Sequence, residues 1–267
     1  MLRSLPFAAL LGGLILSASA QAVDVDPATY GYPITNPFEA TIATTPPQMR
    51  PLLPDEDDIN QSDYTLNLRP EREHILPANF WAVKKLTYRM AKQDHPAPLM
   101  FLIAGTGAAY DSSLNEYLKK LFYQEGYHVV QLSSPTSYDF MSSASRLATP
   151  GISQYDAEDL YHVMQAVRAQ QAKLPVTDYY LAGYSLGALD AAFVSHLDET
   201  RKSFNFKKVL MLNPPVNLFT SISNLDKLVQ TEVKGINNST TFYELVLGKL
   251  TRYFQDKGRV DLNAALV

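Results

Sequence analysis

The chain has 267 residues, of which 46% are hydrophobic, so it can bury a sizeable core as one large domain or two small ones. Its 23 basic and 27 acidic residues give a net charge of −4 and form no basic run, which argues against nucleic acid as a partner. The absence of cysteine excludes disulfides, a thiolate nucleophile and a cysteine metal site.

Residues 1–22 have the pattern of an export signal. Arg3 precedes an apolar stretch at residues 5–16, which is too short to span a bilayer, and Ala-x-Ala cleavage sites end at Ala20 and Ala22. We therefore expect a periplasmic or secreted protein without a transmembrane segment in its mature chain. The alternative is an uncleaved anchor or a buried helix.

Residues 23–61 are rich in proline. Seven prolines exclude a regular helix or a central strand, and Tyr30, Tyr32 and Phe38 are interleaved with them. We expect an extended arm that packs over the domain through these aromatic rings. The alternative is a flexible polyproline II segment that binds a partner.

Residues 62–215 alternate between strand and helix patterns. Strands are predicted at residues 64–68, 81–90, 98–104, 127–132, 177–182 and 207–212, and helices at 113–126, 153–172 and from 186 onward. Residues 133–151 are predicted to form a long serine-rich loop. The run 98–104 is apolar on both faces, which is typical of a central parallel strand, and 207–212 is predicted to be another buried strand. The pattern predicts an α/β fold, a mostly parallel sheet with helices on both faces.

The motif Gly183-Tyr-Ser-Leu-Gly187 reads G-x-S-x-G and stands between a predicted strand and a predicted helix. In this setting it indicates a nucleophile elbow, in which a strained serine presents its hydroxyl at a sharp strand-to-helix turn. The alternative is a serine in an ordinary β-to-α turn. Asp190 follows near the start of the helix, where we expect its charge to balance the helix dipole.

With this motif in place, residues 64–212 resemble an α/β-hydrolase of the serine esterase and lipase kind. The run Ala104–Gly107 lies where that family has its His-Gly-x oxyanion loop, with alanine in place of the histidine. The resemblance implies that esters are hydrolysed through an acyl intermediate on Ser185, without a cofactor. It also implies that the backbone N–H groups of Thr106 and Leu186 bind the oxyanion. The glycines that would permit close approach in the two loops are Gly105, Gly107, Gly183 and Gly187.

The general base is the point at which the chain departs from that family. The family order is serine, then acid, then histidine, but no histidine follows His196. The histidines also lack the spacing of metal ligands. One explanation is that the sequence is incomplete at its C-terminal end, with the acid and the histidine further on. The other is a catalytically inactive, hydrolase-like binding or interaction module of the cell envelope.

Residues 216–267 show the apolar spacing of two amphipathic helices. Leu225, Leu228 and Val229 fall on one face of the first, and Thr241 and Glu244 are candidates to cap the second. Helices inserted after the strand that follows the elbow are expected to form a lid over an apolar substrate, a lipid or another small acyl ester. The alternative is that they pack on the core.

Overall fold

The computed structural model describes residues 31–34, 45, 47–72, 85–232 and 239–257. The expected export signal lies outside these residues, as does about half of the proline-rich arm, including Tyr30 and Phe38, so both stay predictions. Among the described helices, none combines the length and the apolar character needed to cross a membrane.

The described strands form one sheet in the order β1-β2-β4-β3-β5-β6. The strands are β1 (Gln61–Leu66), β2 (Leu86–Ala91), β3 (Ala97–Ile103), β4 (His128–Leu132), β5 (Val176–Tyr184) and β6 (Val209–Leu212). Strand β2 runs antiparallel to both of its neighbours, whereas β4, β3, β5 and β6 are parallel to one another. The sheet therefore confirms the predicted mostly parallel α/β architecture.

Helices cover both faces of the sheet. The α-helices are α1 (Ser113–Gln124), α2 (Tyr138–Ser143), α3 (Ser153–Gln170), α4 (Leu186–Arg201), α5 (Leu218–Glu232) and α6 (Ser239–Lys257). Along β3, Phe101 and Ile103 belong to the core formed with α3 and α4, whereas Met100 and Leu102 belong to the core formed with α1. Side chains of a strand alternate between faces, so an uninterrupted apolar run such as β3 needs cover on both sides.

Two sequence predictions are wrong, one on the burial of the last strand and one on the structure of residues 133–151. Strand β6 was expected to be buried, but Leu210 is 42% and Met211 46% exposed. Strand β6 is the last strand of the described sheet and, among the described residues, pairs only with β5, so its outer edge is open. The expected long loop at residues 133–151 contains the short helix α2, and its serines are largely buried rather than solvated.

The segment that leads into β1 is fastened to α1 by a buried cation. Lys119 is fully buried, and its ammonium group donates to Glu56 at 2.8 Å, to Gln61 at 2.6 Å and to Glu116. Burial raises the pKa of Glu56, but the hydrogen bonds from Lys119, Gln61 and Lys120 outweigh it and lower the pKa to about 2. These contacts anchor the arm where it enters the sheet.

Candidate active site

Ser185 occupies a sharp turn between a strand and a helix. Strand β5 ends at Tyr184 and α4 begins at Leu186, so a single residue separates them. Its backbone has φ 53° and ψ −124°, in the left-handed half of conformational space that side chains with a Cβ rarely adopt. The residue is exposed, whereas Gly183 and Gly187 on either side are buried. The serine hydroxyl thus stands clear of the protein at the apex of the turn.

The glycines of the motif are required by close backbone contacts. A Cβ on Gly183 would lie 2.1 Å from the carbonyl oxygen of Gly187, and a Cβ on Gly187 would lie 2.4 Å from the carbonyl oxygens of both Ile103 and Ala104. Either contact is far inside the van der Waals distance. The elbow helix can therefore approach the sheet this closely only because both positions lack a side chain.

The loop after β3 lies beside this elbow. Ile103, the last residue of β3, is paired with Gly183, so the two parallel strands end at the same edge of the sheet. A Cβ on Gly105 would lie 2.7 Å from the ring of Tyr184 and 3.2 Å from the Cβ of Ser185. The loop that carries Thr106 is therefore in direct contact with the turn at Ser185.

The N–H groups of Thr106 and Leu186, the two predicted oxyanion donors, are not engaged by an acceptor among the described residues, whereas the N–H of Gly107 is. Leu186 is the first residue of α4, so its N–H has no acceptor within the helix and lies at the positive end of the helix dipole. Gly107 donates its N–H to Thr136 Oγ1 at 2.7 Å, but in the part of the chain described the Thr106 N–H has no acceptor. Their role toward an oxyanion stays a prediction.

No histidine among the described residues lies at the elbow. His95 precedes β3 and His128 begins β4, so both lie at the N-terminal ends of the parallel strands. Ser185 follows the C-terminal end of β5, on the opposite side of the sheet. His162 points to solvent from the middle of α3. His196 lies in α4 roughly 16 Å beyond Ser185, at about 1.5 Å per residue. His74 lies outside the described residues.

His128 has a structural role. Its ring is fully buried, with Nδ1 accepting the N–H of Gln93 at 3.0 Å and Nε2 3.3 Å from the carbonyl oxygen of Pro175. These partners fit a neutral ring that donates through Nε2. Burial lowers the pKa of His128, which favours the same neutral form. His128 therefore links two strand ends and takes no part at Ser185.

Asp190 differs from its expected role in balancing the helix dipole. It is only 1% exposed, its Oδ2 has no hydrogen-bond partner, and it faces α3, where Asp156 is also buried. Burial and the nearby Asp156 raise the pKa of Asp190 to about 8. These surroundings favour the neutral carboxyl, so Asp190 is a buried group and not the charged, dipole-balancing side chain that was expected.

The prediction that two helices follow β6 is confirmed by α5 and α6. The segment leaves the sheet at the same edge as Ser185, and its apolar side chains are exposed, with Val216 at 91% and Phe219 at 81%. Their function as a lid is a proposal, considered below. Within the described ranges, no group of three or more His, Asp and Glu side chains has the arrangement of a metal site.

Sequence reasoning missed the polar segment that follows β4. Ser133, Ser134 and Ser137 are buried, and together with Thr136 they contact the loop after β3 or the carboxylate of Asp139. The available signal was the density of serine directly after a buried strand. Buried hydroxyl groups need partners, so such a run indicates a built hydrogen-bond network.

No family model matches the chain, and no curated protein matches it by sequence. Solved structures do match, among them an esterase from the archaeon Pyrobaculum calidifontis with 18% identity and a TM-score of 0.47, covering 72% of this chain and 56% of that one. A bacterial brefeldin A esterase, described as a homologue of human hormone-sensitive lipase, has 16% identity and a TM-score of 0.45, covering 72% and 50%. An esterase from the fungus Rhizomucor miehei has 16% identity and a TM-score of 0.45, covering 67% and 50%. The chain thus spans about half the length of these structures.

Proposed function

We propose that this protein is a serine hydrolase of acyl esters in which Ser185 is the nucleophile. The observation that carries the proposal is the backbone of Ser185, held at φ 53° between β5 and α4 with its side chain exposed. A residue with a Cβ remains in such a conformation only when its surroundings impose it, and such strain is concentrated at functional sites. Here the close packing of α4 against the sheet holds Ser185 in this conformation, and the glycines on both sides of the serine permit that packing.

The reaction follows from the groups at this end of the sheet. The Ser185 oxygen attacks the ester carbonyl carbon, and its proton passes to a general base. The carbonyl oxygen becomes an oxyanion that accepts hydrogen bonds from the N–H groups of Thr106 and Leu186. The carbonyl then re-forms as the alcohol leaves with a proton. Water attacks the acyl-serine in the same manner and releases the acid.

The proposal places the base and its supporting acid outside the described residues. Ser185 has no described histidine within reach, and a free hydroxyl is a poor nucleophile near neutral pH. Loss of a member of a catalytic triad typically lowers turnover on the order of a thousandfold or more. A chain without such a base is therefore expected to turn over esters very slowly.

The substrate class that we propose is an apolar acyl ester, a lipid or a smaller ester. Helix α5 and the segment before it leave the sheet at the edge that bears Ser185, and they expose Val216, Phe219 and Leu225. Exposed apolar faces of this kind are suited to covering an apolar ligand. In this proposal α5 and α6 act as a lid.

We also propose that the protein acts outside the cytoplasm, as a periplasmic or secreted enzyme. The support is the order of Arg3, apolar stretch and Ala-x-Ala sites in the first 22 residues. N-terminal sequencing of the protein from its native host is expected to give a chain that starts after Ala20 or Ala22. A mature protein that begins at Met1 would contradict export by cleavage.

A second candidate function is a hydrolase-like binding or interaction module of the cell envelope. The observation that favours it is the lack of a described histidine near Ser185. In that case the elbow would bind a ligand without turning it over, and replacement of Ser185 by alanine would leave binding unchanged.

One experiment separates the two functions. The 267-residue chain, any longer product that its gene encodes, and Ser185→Ala variants of each are treated with a fluorophosphonate probe and a short-chain chromogenic ester. Covalent labelling and turnover that vanish in Ser185→Ala support the hydrolase. A product that neither labels nor turns over a panel of esters, yet binds lipid or a partner equally in Ser185→Ala, leaves only the binding module.

A further inference from the structure

Four hydrogen bonds join the loop after β3 to the segment after β4. Ala104 donates its N–H to the Leu132 carbonyl at 3.1 Å, and Ser134 donates its N–H to the Ala108 carbonyl at 3.0 Å. The other two end on side chains, with the N–H of Gly107 on Thr136 Oγ1 at 2.7 Å and that of Tyr110 on Ser133 Oγ at 2.9 Å. The loop beside Ser185 is therefore held in place by hydrogen bonds to a segment about 30 residues further along the chain.

Within that loop, Gly105 to Ala108 form a tight turn. Ala108 donates its N–H to the carbonyl oxygen of Gly105 at 3.0 Å, and Gly107, the third residue of the turn, has φ 69°. A positive φ at the third position belongs to the type II turn, in which the two central residues do not share the closing hydrogen bond. The N–H of Thr106 and that of Gly107 are thus both available to outside acceptors, and Thr136 takes the second.

The hydroxyl group of Thr136 is itself held in place. Its oxygen lies 2.8 Å from Ser134 Oγ, and its backbone N–H donates to the same Ser134 oxygen at 3.2 Å. Next to it, the carboxylate of Asp139 accepts hydrogen bonds from Ser133 Oγ at 2.7 Å and from Ser137 Oγ. The acceptor offered to Gly107 is therefore part of a packed network and not a freely rotating surface hydroxyl.

We infer that Thr136 is a positioning residue for the oxyanion site. By accepting the Gly107 N–H it fixes the orientation of the turn, so that the Thr106 N–H is the one presented toward Ser185. Stabilisation of an oxyanion depends on donors that are oriented before the reaction, since reorienting them during it lowers the gain. This inference rests on the proposed function, because it assigns Thr136 a role in the reaction of Ser185.

The test compares Thr136→Val, which removes the hydroxyl at nearly constant volume, with Thr136→Ser, which retains it. Thr200→Val is the matched control, since Thr200 lies exposed at the far end of α4 and donates only to the carbonyl of Leu197. Each variant and the parent chain are labelled with a fluorophosphonate at pH 9. The bond from Ser185 Oγ to phosphorus forms, the phosphorus–fluorine bond breaks, and hydroxide takes the proton, so no histidine is needed.

Two measurements are made on every variant. Intact-mass spectrometry gives the second-order rate constant for labelling, and NMR gives the hydrogen-exchange rate of the Gly107 amide. We expect Thr136→Val to slow labelling about tenfold or more and to speed exchange at Gly107, since the loss of one oxyanion donor costs about a hundredfold or more in known cases. Thr136→Ser and Thr200→Val are expected to stay within about twofold of the parent chain.

Several outcomes would overturn the inference, and they are distinct from failure of the proposed function. If labelling depends on Ser185 but is equally fast in Thr136→Val, the inference fails and the hydrolase stands. It also fails if Thr136→Ser is as slow as Thr136→Val, or if exchange at Gly107 is unchanged while labelling slows. If neither the parent chain nor any longer product of its gene is labelled in a manner that depends on Ser185, the proposed function itself fails, and the inference with it.

Discussion

Replacing Gly187 by alanine is the sharpest test of the elbow's packing. The added Cβ would lie 2.4 Å from the carbonyl oxygens of Ile103 and Ala104, about 1 Å inside the 3.4 Å at which ordinary contact begins. Both oxygens belong to backbone at the end of β3, which is paired with β4 on one side and β5 on the other. Neither can rotate away, so α4 would have to move off the sheet.

The expected magnitude combines two opposing effects. Overpacking a well-filled site, with the backbone shifts that it forces, typically costs about 1–3 kcal/mol and occasionally more. Alanine in place of glycine in a helix gains up to about 1 kcal/mol through lower entropy of the unfolded chain and better helix propensity. Because two backbone atoms obstruct the new methyl group, we expect the upper end of that cost and a net loss of about 2 kcal/mol or more, a sizeable share of a typical 5–15 kcal/mol stability.

Gly248 supplies the matched control for this prediction. It lies within α6, and a Cβ there would meet no atom within 4 Å. Gly248→Ala therefore keeps the favourable effect on helix propensity and the unfolded chain without the steric obstruction. We expect its free energy of unfolding to be unchanged or up to about 1 kcal/mol higher.

Urea unfolding followed by circular dichroism measures both variants, and the slope with denaturant shows whether the transition stays two-state. Gly187→Ala is expected to unfold at a much lower urea concentration or not to fold. The reasoning about the elbow is refuted if its free energy of unfolding lies within about 1 kcal/mol of that of Gly248→Ala at an equal slope.

Three further predictions concern strain, charge and the sheet edge. Ser185→Gly is expected to raise the free energy of unfolding by about 1 kcal/mol in the same urea assay, because glycine adopts φ 53° without steric penalty, and a decrease would show that the elbow is unstrained. The folded-state pKa of Asp190, about 8, lies above its ordinary value of 3.8, so the native protein loses stability as pH rises between these two values, and the loss levels off above pH 8. Asp190→Asn has no group that titrates there, so its melting temperature relative to that of the parent chain is expected to rise from pH 5 to 7 to 9. Parallel curves for the two proteins would contradict a raised pKa at Asp190. Leu210→Lys places a charge on the exposed apolar edge strand and is expected to reduce self-association in sedimentation velocity, while an equal degree of association would mean that β6 is not the contact.

The sequence by itself determined the order of strands and helices in the core and the nature of the turn at Ser185. Both depend on short-range rules. A strand with apolar residues at consecutive positions, as in β3, needs cover on both faces, and the spacing of apolar residues in α4 gives a helix one buried side. The glycines on both sides of Ser185 indicate a sharp turn because they stand between a predicted strand and a predicted helix; the motif without these flanks is a weak signal.

The surroundings of those elements were decided only by the tertiary structure. Strand β6 is as apolar as β3, yet it is half exposed because burial depends on the neighbour across the sheet and not on the strand's own residues. Asp190 was expected to be charged, but its ionisation is set by desolvation and by Asp156, a residue 34 positions away on another helix. The contact between Gly107 and Thr136 likewise joins loops that meet only because β3 and β4 end side by side. Local sequence patterns encode which backbone conformation forms, whereas exposure, charge state and hydrogen-bond partners depend on which distant segments the folded chain brings together.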